Sequence, residues 1–236
     1  MWRREMRINT SYRTSYEEYN KGKKHKEPDQ DDRTLHNYHL SLWSKPLPCG
    51  RTFDLKTNGK KPYQLLHNSD LGDFKLSSDA ITHTYTGGTW DTNKKMLETI
   101  TDIPKEEIAA FFDLCCTIGG YIIFPSNKID NQRTINGERG MNHHIKDRFD
   151  LTLECIRLWY IGEKDPVKNP LSDCLERYKD FFELFSDFKG YVKFFLLDDL
   201  VDKDDKVRFW LPFGDFGKSP LPKGTNEYRK YMKNVS

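Results

Sequence analysis

The sequence predicts an α+β protein, with a small antiparallel or mixed sheet covered by a helical layer. Three observations carry this. Short alternating or apolar runs bounded by Gly, Pro and Asn concentrate in the first half of the chain. Runs with a helical apolar period concentrate in the second half. One late stretch, residues 207–213, alternates again and is expected to return to the sheet as a strand. Strands and helices segregated along a chain fit a sheet with helices packed against it.

Residues 1–30 are charged and tyrosine-rich and end in Lys21-Gly-Lys-Lys-His-Lys26. They are expected to form an N-terminal arm, mobile or loosely docked, with residues 31–236 as a single α+β domain. Asp31 or Asp32 is placed to cap a helix over 34–43, which Pro46 and Pro48 follow. Residues 51–56 and 62–67 read as a hairpin about Thr57-Asn-Gly59, and 74–81 as a further strand. Helices are expected over 91–100 and 104–116, the second opened by Pro104 with Glu106 and Glu107 at its positive end. Tyr121-Ile-Ile-Phe124, bounded by Gly and Pro, reads as a buried strand.

Residues 125–144 read as a long polar loop, and a loop of that length in a compact domain is more often functional than idle. The helix expected over 145–160 is apolar on two faces, so it should be buried. Asn169 and Pro170 open an amphipathic helix that runs through Phe188, and 191–201 is expected to be a third helix packed on it. Thr225 is placed to cap a last helix to Met232.

The chain carries 38 Lys and Arg against 36 Asp and Glu, which argues against bulk electrostatic binding to nucleic acid but not against a local basic patch. Its 15 Phe and 12 Tyr can supply a large buried area despite a hydrophobic fraction of 36%. The five cysteines include no CxxC pair and read as reduced thiols of a cytoplasmic protein. Residues 1–30 are polar and lack an apolar h-region, so no signal peptide is expected, and no apolar run approaches the length of a membrane span.

Several stretches resemble an uncharacterised bacterial family of unknown function. They are residues 39–53 with Leu42-Trp-Ser-Lys-Pro-Leu47, Thr117-Ile-Gly-Gly-Tyr-Ile-Ile-Phe-Pro125, residues 134–140, Asp147-Arg-Phe-Asp-Leu-Thr-Leu-Glu-Cys-Ile-Arg157 and Phe194-Phe-Leu-Leu-Asp-Asp-Leu200. The resemblance covers roughly residues 31–232. It implies a prokaryotic, cytoplasmic protein and brings no activity, cofactor or catalytic assignment.

The sharpest lead is a polar stripe on the apolar helix: Asp147, Asp150, Glu154 and Arg157. Spacings of three and four put the carboxylates on one helical face. Unpaired, they would raise one another's pKa values, so partners are required. One outcome is a structural network with Arg157, Arg148 and Lys146. Another is a Mg²⁺ or Mn²⁺ site held by Asp147, Asp150 and Glu154, which could support phosphodiester cleavage. A third is a ligand site through Arg139, Arg148 or Arg157.

The loop Thr134-Ile-Asn-Gly-Glu-Arg-Gly140 has glycines and backbone N–H groups suited to an anion, with Asn136 and Arg139 as contacts; Asn136-Gly137 is also a good turn. Arg139 and His144, with four residues between them, resemble the Arg-x₄₋₆-His motif of HEPN ribonucleases, in which the pair would act in RNA cleavage. Gly140 after Arg139 and the predicted strands depart from that family. Lys45, Arg51 and His67, with Trp43, Tyr63 and Trp90, form a candidate basic-aromatic surface for stacking bases.

The leading functional expectation is an intracellular bacterial protein that binds RNA or a nucleotide at the 134–157 junction. A nuclease-like role in phage defence or a toxin–antitoxin pair would follow from it. The alternative is a non-catalytic interaction module, binding a protein partner or its own copy, whose stripe is a structural salt-bridge network.

Overall fold

The computed structural model describes residues 7–13, 32–53, 55–58, 61–69, 72–81 and 102–236. It is an α+β fold with one four-stranded antiparallel sheet, ordered β1 (Leu55–Asn58), β2 (Lys61–Ser69), β3 (Gly72–Ala80) and β4 (Tyr121–Pro125). The expected hairpin is present: Leu55 pairs with His67, and the register shifts at Thr57/Asn58, beside the predicted turn. Leu65 faces Leu76 across β2 and β3, and both are fully buried. All five residues of β4 are buried, as a continuous apolar run bounded by Gly and Pro requires. The helix expected over 91–100 lies outside the described residues.

Helix α1 (Arg33–Trp43) starts where a carboxylate can cap it. Asp32 accepts from the backbone N–H of Thr34 and Leu35 at 2.8 and 2.9 Å. The other Asp32 oxygen accepts from the Tyr12 hydroxyl at 2.5 Å, and the Tyr12 ring meets Tyr38 edge-on. Arg13 forms a bridge with Thr117. Residues 7–13 of the arm are therefore docked, and residues 14–30 lie outside the described residues.

Helix α2 (Lys105–Cys115) follows Pro104 as predicted. The segment expected to be loop contains helix α3 (Ile135–Met141), so Asn136-Gly137 lies in a first helical turn and is not a reverse turn. Thr134 caps this helix by accepting from Gly137 N–H at 3.2 Å, and Ile135 and Arg139, one turn apart, are its buried side.

Helix α4 (Phe149–Tyr160) begins four residues later than the apolar period suggests. Lys146 and Asp147 have φ of 47° and 65°, a left-handed turn that no helix can include. Residues 149–156 of α4 are all buried, as its two apolar faces demand.

The amphipathic run after Pro170 is broken into α5 (Ser172–Arg177), α6 (Lys179–Glu183) and α7 (Phe188–Phe195). Ser186 at φ 69° stops the chain, and Asp187 restarts it by accepting from Gly190 N–H at 2.7 Å. A Cβ on Gly190 would lie 2.0 Å from the Phe185 carbonyl oxygen, so the restart needs glycine. The helix predicted over 191–201 ends instead at Phe195, because Leu196 takes the left-handed conformation.

Helix α8 (Thr225–Val235) packs Tyr231 against Phe111 and Trp210. The late strand predicted over 207–213 does not form. Val207 makes a single bridge to Val201, and Trp210 N–H donates to the Asp150 carboxylate, not to a neighbouring strand.

One hydrophobic core joins sheet and helices. Phe74 of β3 meets Phe181 at 5.7 Å, Phe124 of β4 meets Phe149 of α4, and Phe185 sits 5.2 Å from both Tyr191 and Phe195. Among the described residues, no helix is long and apolar enough to cross a membrane.

Candidate functional site

The polar stripe resolves into three separate clamps, one per carboxylate. At the start of α4, Arg148 holds Asp150 through two parallel bonds from Nε and Nη2. Both are buried, with Asp150 at 0% exposure. The clamp extends outward: Arg148 Nη1 donates to the Pro220 carbonyl at 2.8 Å, and Asp150 accepts from Trp210 N–H at 2.9 Å. The 208–220 segment is thereby fastened to α4. Asp150 also stands in the first turn, where the helix dipole favours an anion.

One turn on, Glu154 accepts from Arg157 Nε and Nη2 at 2.8 and 2.7 Å. This fork-to-fork bond to the carboxylate pushes the Arg157 guanidinium above its ordinary value.

Asp147 is not on the helix, and its partner is Arg139. Arg139 is fully buried, and it makes four hydrogen bonds and one ion pair to protein oxygens. Nε donates to the Thr152 hydroxyl at 3.3 Å. Nη1 donates to the Ala80 carbonyl at 2.9 Å and to Asn136 Oδ1 at 3.2 Å. Nη2 donates to the Asp147 carbonyl at 3.0 Å and lies 3.4 Å from its carboxylate. The guanidinium also stands 5.7 Å from the centre of the Phe149 ring. Arg139 thus ties the end of β3, helix α3, the left-handed turn and α4 together. The carboxylates are dispersed: among the described residues, no group of three or more His, Cys, Asp or Glu side chains could hold a metal ion.

The remaining sequence candidates take no part in these clamps. His144 is half-buried, and its Nδ1 lies 2.5 Å from the Phe216 carbonyl. A carbonyl only accepts, so Nδ1 carries a proton and neutral His144 keeps its lone pair on Nε2. His143 packs against it, the rings tilted by 40° with centres 3.8 Å apart. Arg139 is buried in the network just described and does not bond His144, so the two are not presented as a pair. Lys45 lies over Trp43 at 5.5 Å and Phe194 at 5.0 Å, and burial lowers its pKa. Trp43 is a core residue against Phe195, not a stacking platform. Arg51 is exposed, while the side chains of His67 and Tyr63, and the whole of Trp90, fall outside the described residues. Cys49 is exposed; the other four thiols are buried, and burial pushes Cys174 up to about 12.

Sequence reading did not pick out residues 212–220. Pro212, Phe213, Gly214, Asp215, Lys218, Ser219 and Pro220 wall a cavity of about 20 Å³ whose other side is His144, Arg148 and Leu151. That volume suits about one water molecule. Gly217-Lys218-Ser219 was the available signal. It is not a P-loop, since Pro212 stands where the first glycine belongs and no helix follows directly.

The fold and the clamps define an α+β protein whose sheet, helices and C-terminal segment are fastened by buried arginines. The chain belongs to a family of unknown function (DUF6994), whose model matches residues 8–236, in agreement with the resemblance read from its motifs. No curated protein and no solved structure matches it.

Proposed function

We propose that the protein is a non-catalytic interaction module and that its arginine–carboxylate seam is structural. The observation that carries this is Arg139, a buried cation held inside the protein by four hydrogen bonds and one ion pair. Asp150 and Glu154 are each held by their own arginine in the same manner. Groups consumed in this way hold elements in register and leave nothing to polarise a substrate. A rigid turn after α4 meanwhile displays Ile161 at 65% and Val167 at 80% exposure. Buried Asn169 fixes that turn by donating to the Cys155 carbonyl at 3.0 Å. Aliphatic side chains held out by a fixed backbone suit contact with another protein, including a second copy of this chain.

A second reading, binding of a phosphate-bearing ligand such as RNA or a nucleotide near the 134–157 junction, is favoured by one observation. The cavity beside α4 brings His144 and Lys218 to the buried Arg148. Cleavage, with a Mg²⁺ or Mn²⁺ cofactor or a role in defence, would need groups beyond the paired carboxylates.

Purified protein incubated with RNA and DNA, with and without Mg²⁺ or Mn²⁺, tests the main proposal beside Asp150→Ala and Glu154→Ala. Both variants should melt earlier, and no protein should cleave. Cleavage by the parent that a folded Glu154→Ala protein lacks would sink the structural assignment of the seam.

A further inference from the structure

We infer that the cavity between the start of α4 and the 212–220 loop is a subsite for a terminal phosphate group. This deepens the second reading and rests on it. Three polar side chains converge on the wall that Arg148 forms, its own charge already balanced by Asp150. Lys218 folds back so that its ammonium would lie 3.4 Å from a Cβ on Gly214, within the loop that rims the opening. Ser219 adds a hydroxyl to the lining, and its Oγ lies 3.4 Å from the Leu221 N–H. His144 also lines the cavity, and its Nδ1 donates to the Phe216 carbonyl, so Nε2 is the ring nitrogen outside that bond.

Asp215 is the one carboxylate in the lining, and it accepts from Gly217 N–H at 2.8 Å. It shapes the loop and opposes an anion. A cavity of about 20 Å³ cannot enclose a nucleotide. It can take one or two oxygens of a phosphate, with the rest of the ligand in solvent. Inorganic phosphate and the end of a phosphate monoester share that chemistry.

The test is a titration of the full chain with inorganic phosphate and, separately, phenyl phosphate, read by the histidine ring resonances, with His144→Gln identifying the signal. The subsite requires a saturable shift of the His144 resonance. Lys218→Ala should weaken binding about fivefold and Asp215→Asn should tighten it by a similar factor, each the size of one partly exposed charge contact. A preference for phenyl phosphate assigns the ligand as an ester, and equal binding assigns free phosphate. No saturable shift, or unchanged affinity in Lys218→Ala, overturns the subsite. RNA binding that persists by fluorescence anisotropy in Lys218→Ala would retire the subsite while leaving the second reading standing.

Discussion

Helices α4 and α1 both carry polar side chains into the interior, and they do so in opposite ways. Along α4, Asp150, Thr152 and Glu154 each have a partner, and the three clamps reach β3, α3 and the 208–220 segment. Along α1, His39 is fully buried and, among the described residues, neither its ring nitrogens nor Nε1 of buried Trp43 has a hydrogen-bond partner. The difference follows from charge. An ionised carboxylate or guanidinium in the interior must be paired, because leaving one alone costs several kcal/mol. An imidazole has a neutral form and can retreat into it. Burial accordingly lowers the His39 pKa to about 3, with nearby His36 adding to the effect, and lowers that of His36 to about 4.

The largest expected loss is at the hub. Arg139→Met removes five donors and strands the Ala80 and Asp147 carbonyls. About 3–5 kcal/mol or more should go, a fall of roughly 10 °C or more in melting temperature. A fall of only 1–2 °C would mean the network is ornamental. Asp150→Asn should follow closely at about 3 kcal/mol, since it leaves buried Arg148 without its counter-charge. Denaturant unfolding measures both.

At α1 the change has the other sign. His39→Leu removes two unbonded nitrogens and should stabilise by about 1 kcal/mol at pH 7. Unfolded histidine titrates near 6.5, and folded His39 near 3, so below about pH 6.5 the unfolded chain holds the extra proton. Stability conferred by the neutral ring is fully present above pH 6.5. It is lost as pH falls toward 3, by up to about 1.4 kcal/mol per pH unit. His39→Leu should flatten that slope between pH 6 and 4; a slope equal to the parent's would exonerate His39. The smallest effect is expected from Ile161→Lys or Val167→Lys, within about 0.5 kcal/mol, because both side chains already face solvent. A larger loss would show that the turn is part of the core.

What could be read from sequence followed local rules. The Glu154–Arg157 pair is a three-residue helical spacing, and the Asp32 cap and buried β4 obey short-range signals. The Arg148–Asp150 pair breaks the spacing rule, since residues two apart do not face each other on a helix. It forms because Arg148 is extended, with ψ of 119°, just outside α4. Arg139 was placed in a loop because Asn136-Gly137 imitates a turn, and only the Thr134 cap betrayed α3. The break at Ser186 was hidden by an unbroken period from Phe181 to Phe188, although Asp187 three residues before Gly190 is a capping signal. The cavity was out of reach because its two walls are brought together by bonds such as His144 to Phe216, 72 residues apart.

Measured along the chain, the ties that join the seam to β3 and to the 208–220 segment are long. Arg139 reaches Ala80 across 59 residues, Asp150 reaches Trp210 across 60, and Arg148 reaches Pro220 across 72. Loops of this size must close before any of these bonds can form, and each bond is worth little until its neighbours are set. The seam should therefore lock after the rate-limiting step of folding. Its contribution then appears in how slowly the native state opens and not in how fast it is reached. In stopped-flow kinetics, Asp150→Asn should raise the unfolding rate and leave the folding rate within about twofold. A slowed folding arm would place the clamp in the nucleus instead.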